Sequence, residues 1–126
     1  METGEFWDIF VYGTLRRGFG NHGYVRDCPC LGRAETAAAY AMYVTGGIPY
    51  LVADEPRYTV VGEVYRVDAA TLARLDELEG HPHLYCRTKA DIVMEDGARR
   101  RAWVYFARRP FGVLSGTGDF ARFSTF

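Results

Sequence analysis

The chain has 126 residues and a mass of 14.2 kDa, enough to bury a hydrophobic core without disulfide bonds. Fifteen basic and sixteen acidic residues give a net charge of −1, which excludes a strongly basic nucleic-acid-binding chain. No apolar stretch approaches the roughly 20 residues of a membrane span, and the N-terminus carries glutamates rather than the positive charge of a signal peptide. We therefore expect a cytoplasmic single domain over residues 1–126, a monomer or weak homodimer, with no nucleic-acid or membrane partner.

The first half of the chain is rich in strand signals. Strands are predicted over Phe6–Tyr12, over Arg33–Val44 as one bent strand or two short ones, over Ile48–Ala53 with Pro49 near a sheet edge, and over Tyr58–Val67. Glycines and Asn21 predict an irregular loop between Gly13 and Gly23. The three cysteines are odd in number, and Cys28-Pro29-Cys30 has no second ligand pair at zinc spacing, so reduced thiols and no metal are expected.

One helix follows, and then two more strands. Asp68 is the predicted N-cap of a helix over Ala69–Glu79, which Gly80 and Pro82 end. Strands over Tyr85–Met94 and Arg101–Phe106 are joined by Glu95-Asp96-Gly97, a sequence that favours a hairpin turn. The aromatic segment 110–126 is expected to pack over the body as a flap or tail.

The helix carries a carboxylate on its apolar face. At about 100° per residue, Leu72, Leu75 and Leu78 share one face with Glu79. Burial and the negative end of the helix dipole both favour the protonated form of this side chain, as in a proton-transfer group. Two other interpretations stay open: a structural acid paired with an arginine such as Arg87, or a frayed helix end that lets Glu79 reach water.

The first strand ends in the sequence "VYGTLRRG". It has neither the lysine and spacing of a P-loop nor the glycine pattern of a dinucleotide-binding fold. The backbone N–H groups of Gly13, Thr14 and Leu15 could converge on a carboxylate, and Gly13 would let a ligand approach the backbone. Arg16 and Arg17 would add positive potential, or are solvated loop charges.

"VYGTLRRG" and "LDELEGHPHLYCR", with "GGIPYLV" and "VVGEVYRV" between them, together resemble the γ-glutamylcyclotransferase-like (AIG2-like) family over residues 10–106. The resemblance implies an α+β fold, a small mixed β-barrel with flanking helices and a substrate cavity at one end. It also implies that Tyr12, Gly13, Thr14 and Leu15 bind the γ-glutamyl group and that Glu79 is the catalytic residue.

Further residues follow from the same resemblance. The segment "GNHG", which contains Asn21 and His22, resembles the branch of the family that acts on γ-glutamylamines. Tyr85 and Arg87 match a Tyr-x-Arg pattern of the family. Tyr85 and Tyr105 are candidate substrate-binding residues, and Arg87 is expected to fix either Glu79 or the sheet. The sequence has no serine or cysteine nucleophile in a recognisable nucleophile elbow, so His22, His81 and His83 are expected in loop or surface roles.

The implied reaction is the release of 5-oxoproline and a free amine from a small γ-glutamyl substrate by intramolecular attack of the α-amine. Because nucleophile and electrophile belong to one molecule, no cofactor or metal is expected. The alternative is a non-catalytic protein that binds a small acid in the same cavity.

Overall fold

A computed structural model describes residues 5–123. Its strands are β1 (Phe6–Val11), β2 (Cys30–Thr36), β3 (Ala41–Thr45), β4 (Ile48–Val52), β5 (Val61–Asp68), β6 (Tyr85–Met94), β7 (Arg99–Ala107) and β8 (Val113–Leu114). Helix α1 spans Ala69–Glu79, and short 3₁₀ helices span His22–Tyr24 and Phe120–Arg122.

Five of the strands form a closed barrel in the order β1-β5-β2-β6-β7. Its neighbouring strands are antiparallel except at the closure, where Ile9 of β1 pairs in parallel with Trp103 of β7. The predicted small mixed barrel is therefore confirmed. The described residues contain one α-helix and two 3₁₀ helices beside it.

The remaining strands form a second sheet in the order β4-β3-β8. The segment predicted as one bent strand or two short ones consists of two, β2 in the barrel and β3 in the small sheet. Pro49 lies on the edge strand β4, as predicted. Within the predicted flap, Val113 and Leu114 pair with β3, whereas residues 124–126 lie outside the described part of the chain.

Helix α1 begins and ends where its capping residues predict. The Asp68 side chain accepts a hydrogen bond of 2.8 Å from the backbone N–H of Thr71. Gly80 has a left-handed backbone with φ 65°, and its N–H donates to the carbonyls of Asp76 and Glu77. Glu79 is thus the last helical residue, held at a defined helix end.

The helix packs against barrel strands β1 and β5, on the face opposite to the interior residues Phe10 and Val64. Leu72 and Leu75 are buried in a cluster with residues of β1, β5 and β7, and Leu78 is only partly buried. A second cluster fills the barrel interior, with Phe10, Val64 and Val104 almost inaccessible to solvent. The helix end therefore meets the barrel beside the loop that follows β1.

No helix within residues 5–123 is long and apolar enough to cross a membrane. In the same residues, no group of three or more His, Cys, Asp and Glu side chains could hold a metal ion. Cys28, Cys30 and Cys86 are free thiols.

Candidate functional site

A narrow cleft opens where the β1 loop, strand β4 and the end of α1 meet. Its free interior measures about 30 Å³, and the empty space between its walls, counted out to open solvent, is about 370 Å³. The lining residues are Phe10, Val11, Tyr12, Gly13, Thr14, Leu15, Ile48, Pro49, Glu79, Tyr85 and Tyr105. Seven of the eight residues predicted for the site line this one cleft.

Glu79 lies in the cleft without a protein partner. No hydrogen bond or ion pair joins its carboxylate to another residue within 5–123, and burial raises its pKa to about 7. Arg87, the cation proposed as its partner, instead binds Asp76. Because Arg87 pairs with Asp76, the ion-pair interpretation of Glu79 does not apply. Helix α1 is regular up to Glu79 and is capped by Gly80, so the frayed-helix interpretation does not apply either.

The loop after β1 contributes Gly13, Thr14 and Leu15 to the lining of the same cleft. The carbonyl of Gly13 accepts a hydrogen bond of 3.0 Å from the N–H of Arg16, and the carbonyl of Thr14 accepts one of 2.9 Å from the N–H of Asn21. The N–H groups of Gly13, Thr14 and Leu15 have no partner in the described chain. The loop is thus held by its carbonyls, while three neighbouring donors stay available to a ligand.

Gly13 is required by packing inside the protein. A Cβ atom added at Gly13 would overlap the Pro49 ring of β4. Pro49 fills the position that a side chain at Gly13 would take, whereas the approach of a ligand to the Gly13 backbone stays a prediction. The glycine lets β4 approach the loop and form one wall of the cleft.

Asn21 does not line the cleft. Its side-chain Nδ2 donates to Thr14 Oγ1 at 3.0 Å, and its backbone N–H holds the Thr14 carbonyl. The structure therefore places Asn21 behind the loop as a brace, and direct contact with substrate stays a prediction.

Arg16 and Arg17 differ in environment. The Arg16 guanidinium is buried, with Nη1 2.8 Å from Asp119 Oδ1 and Nε 4.0 Å from Glu63 Oε2. Arg17 is exposed, and its backbone N–H donates to Glu63. Arg16 is therefore no solvated loop charge; it joins the loop to the C-terminal segment.

Three buried tyrosines surround Glu79. The hydroxyl of Tyr12 donates to the Tyr105 carbonyl at 2.7 Å, and that of Tyr85 donates to the Pro49 carbonyl at 3.1 Å. The Tyr105 hydroxyl donates to Asp76 Oδ1 at 2.6 Å. Burial raises the pKa of all three phenols, and the Glu79 carboxylate raises them further, so the phenols stay protonated and lie near this acid.

Sequence reasoning did not single out Asp76. Arg87 donates to both of its carboxylate oxygens, at 2.8 and 3.1 Å, and the guanidinium lies 4.7 Å from the Trp103 ring centre. Burial alone would raise the pKa of Asp76, but hydrogen bonds from Arg87 and Tyr105 outweigh it and lower the pKa. The sequence did carry a signal for Asp76: it lies three residues before Glu79, so both side chains share one face of the helix.

The histidines have local roles. His22 Nδ1 lies 3.0 Å from the Leu15 carbonyl, and His81 Nδ1 accepts the backbone N–H of Arg87 at 3.2 Å. His83 is exposed. None of the three lines the cleft.

Comparisons with known proteins identify the family of the chain. The sequence profile of the family described as "Gamma-glutamyl cyclotransferase, AIG2-like" matches residues 9–121. A provisionally named gamma-glutamylcyclotransferase of Methanocaldococcus jannaschii is 46% identical over 113 residues, which are 89% of this chain and 93% of that protein. The gamma-glutamylaminecyclotransferase of Bos taurus is 38% identical over 101 residues, or 74% of this chain and 60% of that protein.

The fold is shared as well. The crystal structure of an AIG2-like protein from Mus musculus superposes with a TM-score of 0.77 at 32% identity, covering 85% of this chain and 80% of that one. The chain therefore belongs to the γ-glutamyl cyclotransferase, AIG2-like family, and is an enzyme of the cyclotransferase type.

Proposed function

We propose that the protein converts a γ-glutamylamine, or a related γ-glutamyl amide, into 5-oxoproline and a free amine, with Glu79 as the catalytic residue. The observation that carries this proposal is one narrow cleft lined both by the partly buried Glu79 carboxylate and by loop residues whose backbone N–H groups, like that carboxylate, have no partner within residues 5–123. These two groups of residues offer complementary partners to a small molecule that carries an acidic head group and an amine. The protein thus acts on a small substrate.

The backbone donors would hold the substrate. A carboxylate accepts several N–H groups readily, and Gly13, Thr14 and Leu15 line the cleft with backbone N–H groups that have no partner within the described residues. We assign them to the α-carboxylate of the glutamyl group. The α-amine and the γ-carbonyl would then lie deeper in the cleft, toward Glu79.

The chemistry needs one proton acceptor. The neutral α-amine attacks the γ-carbonyl carbon of the same glutamyl group, and a carbon–nitrogen bond closes the five-membered ring. Glu79 takes the proton that the attacking nitrogen loses. As the bond to the leaving nitrogen breaks, Glu79 returns a proton to that nitrogen, and its carboxylate is regenerated.

The raised pKa of Glu79 suits both steps. A carboxyl group with a pKa of about 7 is a stronger base than an ordinary glutamate and is still a usable acid near neutral pH. Substrate binding holds amine and carbonyl in a conformation ready to close, which contributes to rate without a covalent enzyme intermediate.

Two relatives support the amide class of substrate. The Bos taurus relative is named as acting on γ-glutamylamines. A relative from Niallia circulans, 34% identical over 108 residues, is named as acting on γ-L-glutamyl-butirosin B. Both names describe a glutamyl group attached through its side chain to an amine.

The direct test is turnover of defined substrates. Purified protein is incubated with γ-glutamyl-ε-lysine and with several γ-glutamyl α-amino acids, and 5-oxoproline and the released amine are quantified together. We expect equal amounts of both products, with higher kcat/KM for γ-glutamyl-ε-lysine. Saturable binding of these compounds without any 5-oxoproline would contradict the enzymatic role and support a binding protein.

The matched variants are Glu79→Gln and Glu77→Gln. Both remove one carboxylate from the same helix, but Glu77 is exposed and does not line the cleft. Glu79→Gln is expected to lower kcat by about 10²- to 10⁴-fold, the usual contribution of a general acid–base residue. Glu77→Gln should retain wild-type turnover.

A further inference from the structure

The cleft separates hydrogen-bond donors from acceptors. The loop after β1 contributes three backbone N–H donors, those of Gly13, Thr14 and Leu15, which have no partner within the described residues. Near Glu79, the hydroxyl of Tyr85 donates its single proton to the Pro49 carbonyl, and that of Tyr105 donates its proton to the Asp76 carboxylate. A tyrosine hydroxyl that has donated its proton offers only lone pairs to a ligand.

Asp76 determines this direction for Tyr105. An ionised carboxylate has no proton to donate, and the low pKa of Asp76 keeps it ionised. Two N–H groups of Arg87 hold the carboxylate in place, and the Trp103 ring supports the guanidinium from one face. The Tyr105 hydroxyl hydrogen therefore cannot turn toward the cleft without losing a charge-assisted bond of 2.6 Å.

We propose that Asp76 is a positioning residue that fixes the Tyr105 hydroxyl as an acceptor for the α-amino group of the substrate. The inference rests on the function proposed above. An amino group has only N–H donors to offer while it is an ammonium ion. Acceptors on the Glu79 side therefore bind it, whereas a hydroxyl hydrogen pointing into the cleft would repel it.

With this assignment, the cleft has hydrogen-bond donors for the α-carboxylate of the glutamyl group and acceptors for its α-amine. The α-carboxylate contacts donors and the α-amine contacts acceptors, so a γ-glutamyl group is accepted in one orientation. In that orientation the amine lies beside Glu79, the group that takes its proton. Asp76 acts through Tyr105 and does not itself line the cleft.

The test compares two ligands that differ in the amine. L-Glutamate and glutarate share the carbon chain and both carboxylates, and only glutamate carries the α-amino group. Dissociation constants of both are measured by isothermal titration calorimetry and as competitive inhibition constants against γ-glutamyl-ε-lysine. For the wild-type protein we expect tighter binding of glutamate, by about 10- to 100-fold, the usual effect of a hydrogen bond to a charged group.

Two variants remove the acceptor in different ways. Tyr105→Phe deletes the hydroxyl and leaves the Asp76–Arg87 ion pair in place. Asp76→Asn removes the negative charge that orients the hydroxyl but keeps the side-chain shape. Both are expected to lower the glutamate-to-glutarate preference while glutarate affinity stays unchanged, with the larger effect for Tyr105→Phe, because an asparagine oxygen can still accept the hydroxyl hydrogen. Asp91→Asn breaks an exposed pair with Arg101, 3.4 Å long, and should leave the preference as in the wild type.

The outcomes separate this inference from the function on which it rests. If either variant weakens the binding of glutamate and of glutarate equally, Asp76 and Tyr105 have only a structural role and the inference is wrong. The proposed function is then still supported by release of 5-oxoproline. If the wild-type protein shows no preference for glutamate, the acceptor assignment is likewise overturned. If the wild-type protein binds neither ligand and releases no 5-oxoproline, the proposed function itself fails.

Discussion

Replacing Glu79 with glutamine is expected to stabilise the folded protein, and the gain should grow with pH. The folded protein holds the Glu79 proton with a pKa of about 7, whereas the unfolded chain has the ordinary value of 4.5. The folded state thus binds this proton more tightly than the unfolded state does. As pH rises from about 4.5 to about 7, wild-type stability is lost, because the buried carboxyl must ionise without a partner.

The size of the expected gain in unfolding free energy follows from the pKa shift of Glu79. At about 1.4 kcal/mol for each pH unit, a rise from 4.5 to about 7 makes ionisation in the folded state less favourable by roughly 3 kcal/mol. Glutamine does not titrate, so the Glu79→Gln variant loses none of this free energy. The difference in unfolding free energy between variant and wild type should therefore increase by about 3 kcal/mol between about pH 4 and pH 8.

Urea unfolding at a series of pH values measures this difference. Every other titrating group is common to both proteins and largely cancels when the two curves are subtracted. Glu77→Gln is the control, since an exposed glutamate should give a difference that hardly changes with pH. A Glu79→Gln difference that stays constant from about pH 4 to pH 8 would refute the reasoning, because it would mean that Glu79 is solvated or paired in the folded protein.

Three other expectations can be checked. The pH profile of kcat/KM should fall on the acid side with an apparent pKa near 7, since Glu79 must be ionised to accept the proton; a limb near 4.5 would contradict this assignment. Gly80→Ala should lower the unfolding free energy by about 1–2 kcal/mol, because φ is 65° there, and unchanged chemical denaturation would be the contrary result. Gly13→Ala should raise KM and lower thermal stability together, because the added methyl group overlaps Pro49; wild-type values for both would show that the loop relaxes freely.

Local signals predicted the parts of the structure that depend on neighbouring residues. The bounds of α1 follow from Asp68 at one end and Gly80 at the other, and the hairpin at Glu95-Asp96-Gly97 forms with Gly97 at φ 90°. The position of Glu79 on the helix could likewise be predicted from the spacing of leucines. Each of these features is decided within one or two helical turns or one tight turn.

Contacts between residues that are distant in sequence could not be predicted. The partner of Arg87 is Asp76 rather than Glu79, because the pairing depends on how β6 lies against the end of α1. The burial of Arg16 depends on Asp119, which is distant in sequence. The reason for Gly13 depends on Pro49 in another sheet. No periodicity within one segment carries information about these contacts.

The parallel pairing of Ile9 with Trp103 has a consequence for synthesis in the cell. The barrel closes between its first strand and its last, so the emerging polypeptide cannot complete it until β7 has left the ribosome. Tyr105, on that same strand, reaches the cleft at this late stage as well. A translating ribosome therefore carries a half-open sheet with unpaired edges, a species that chaperones can protect from aggregation.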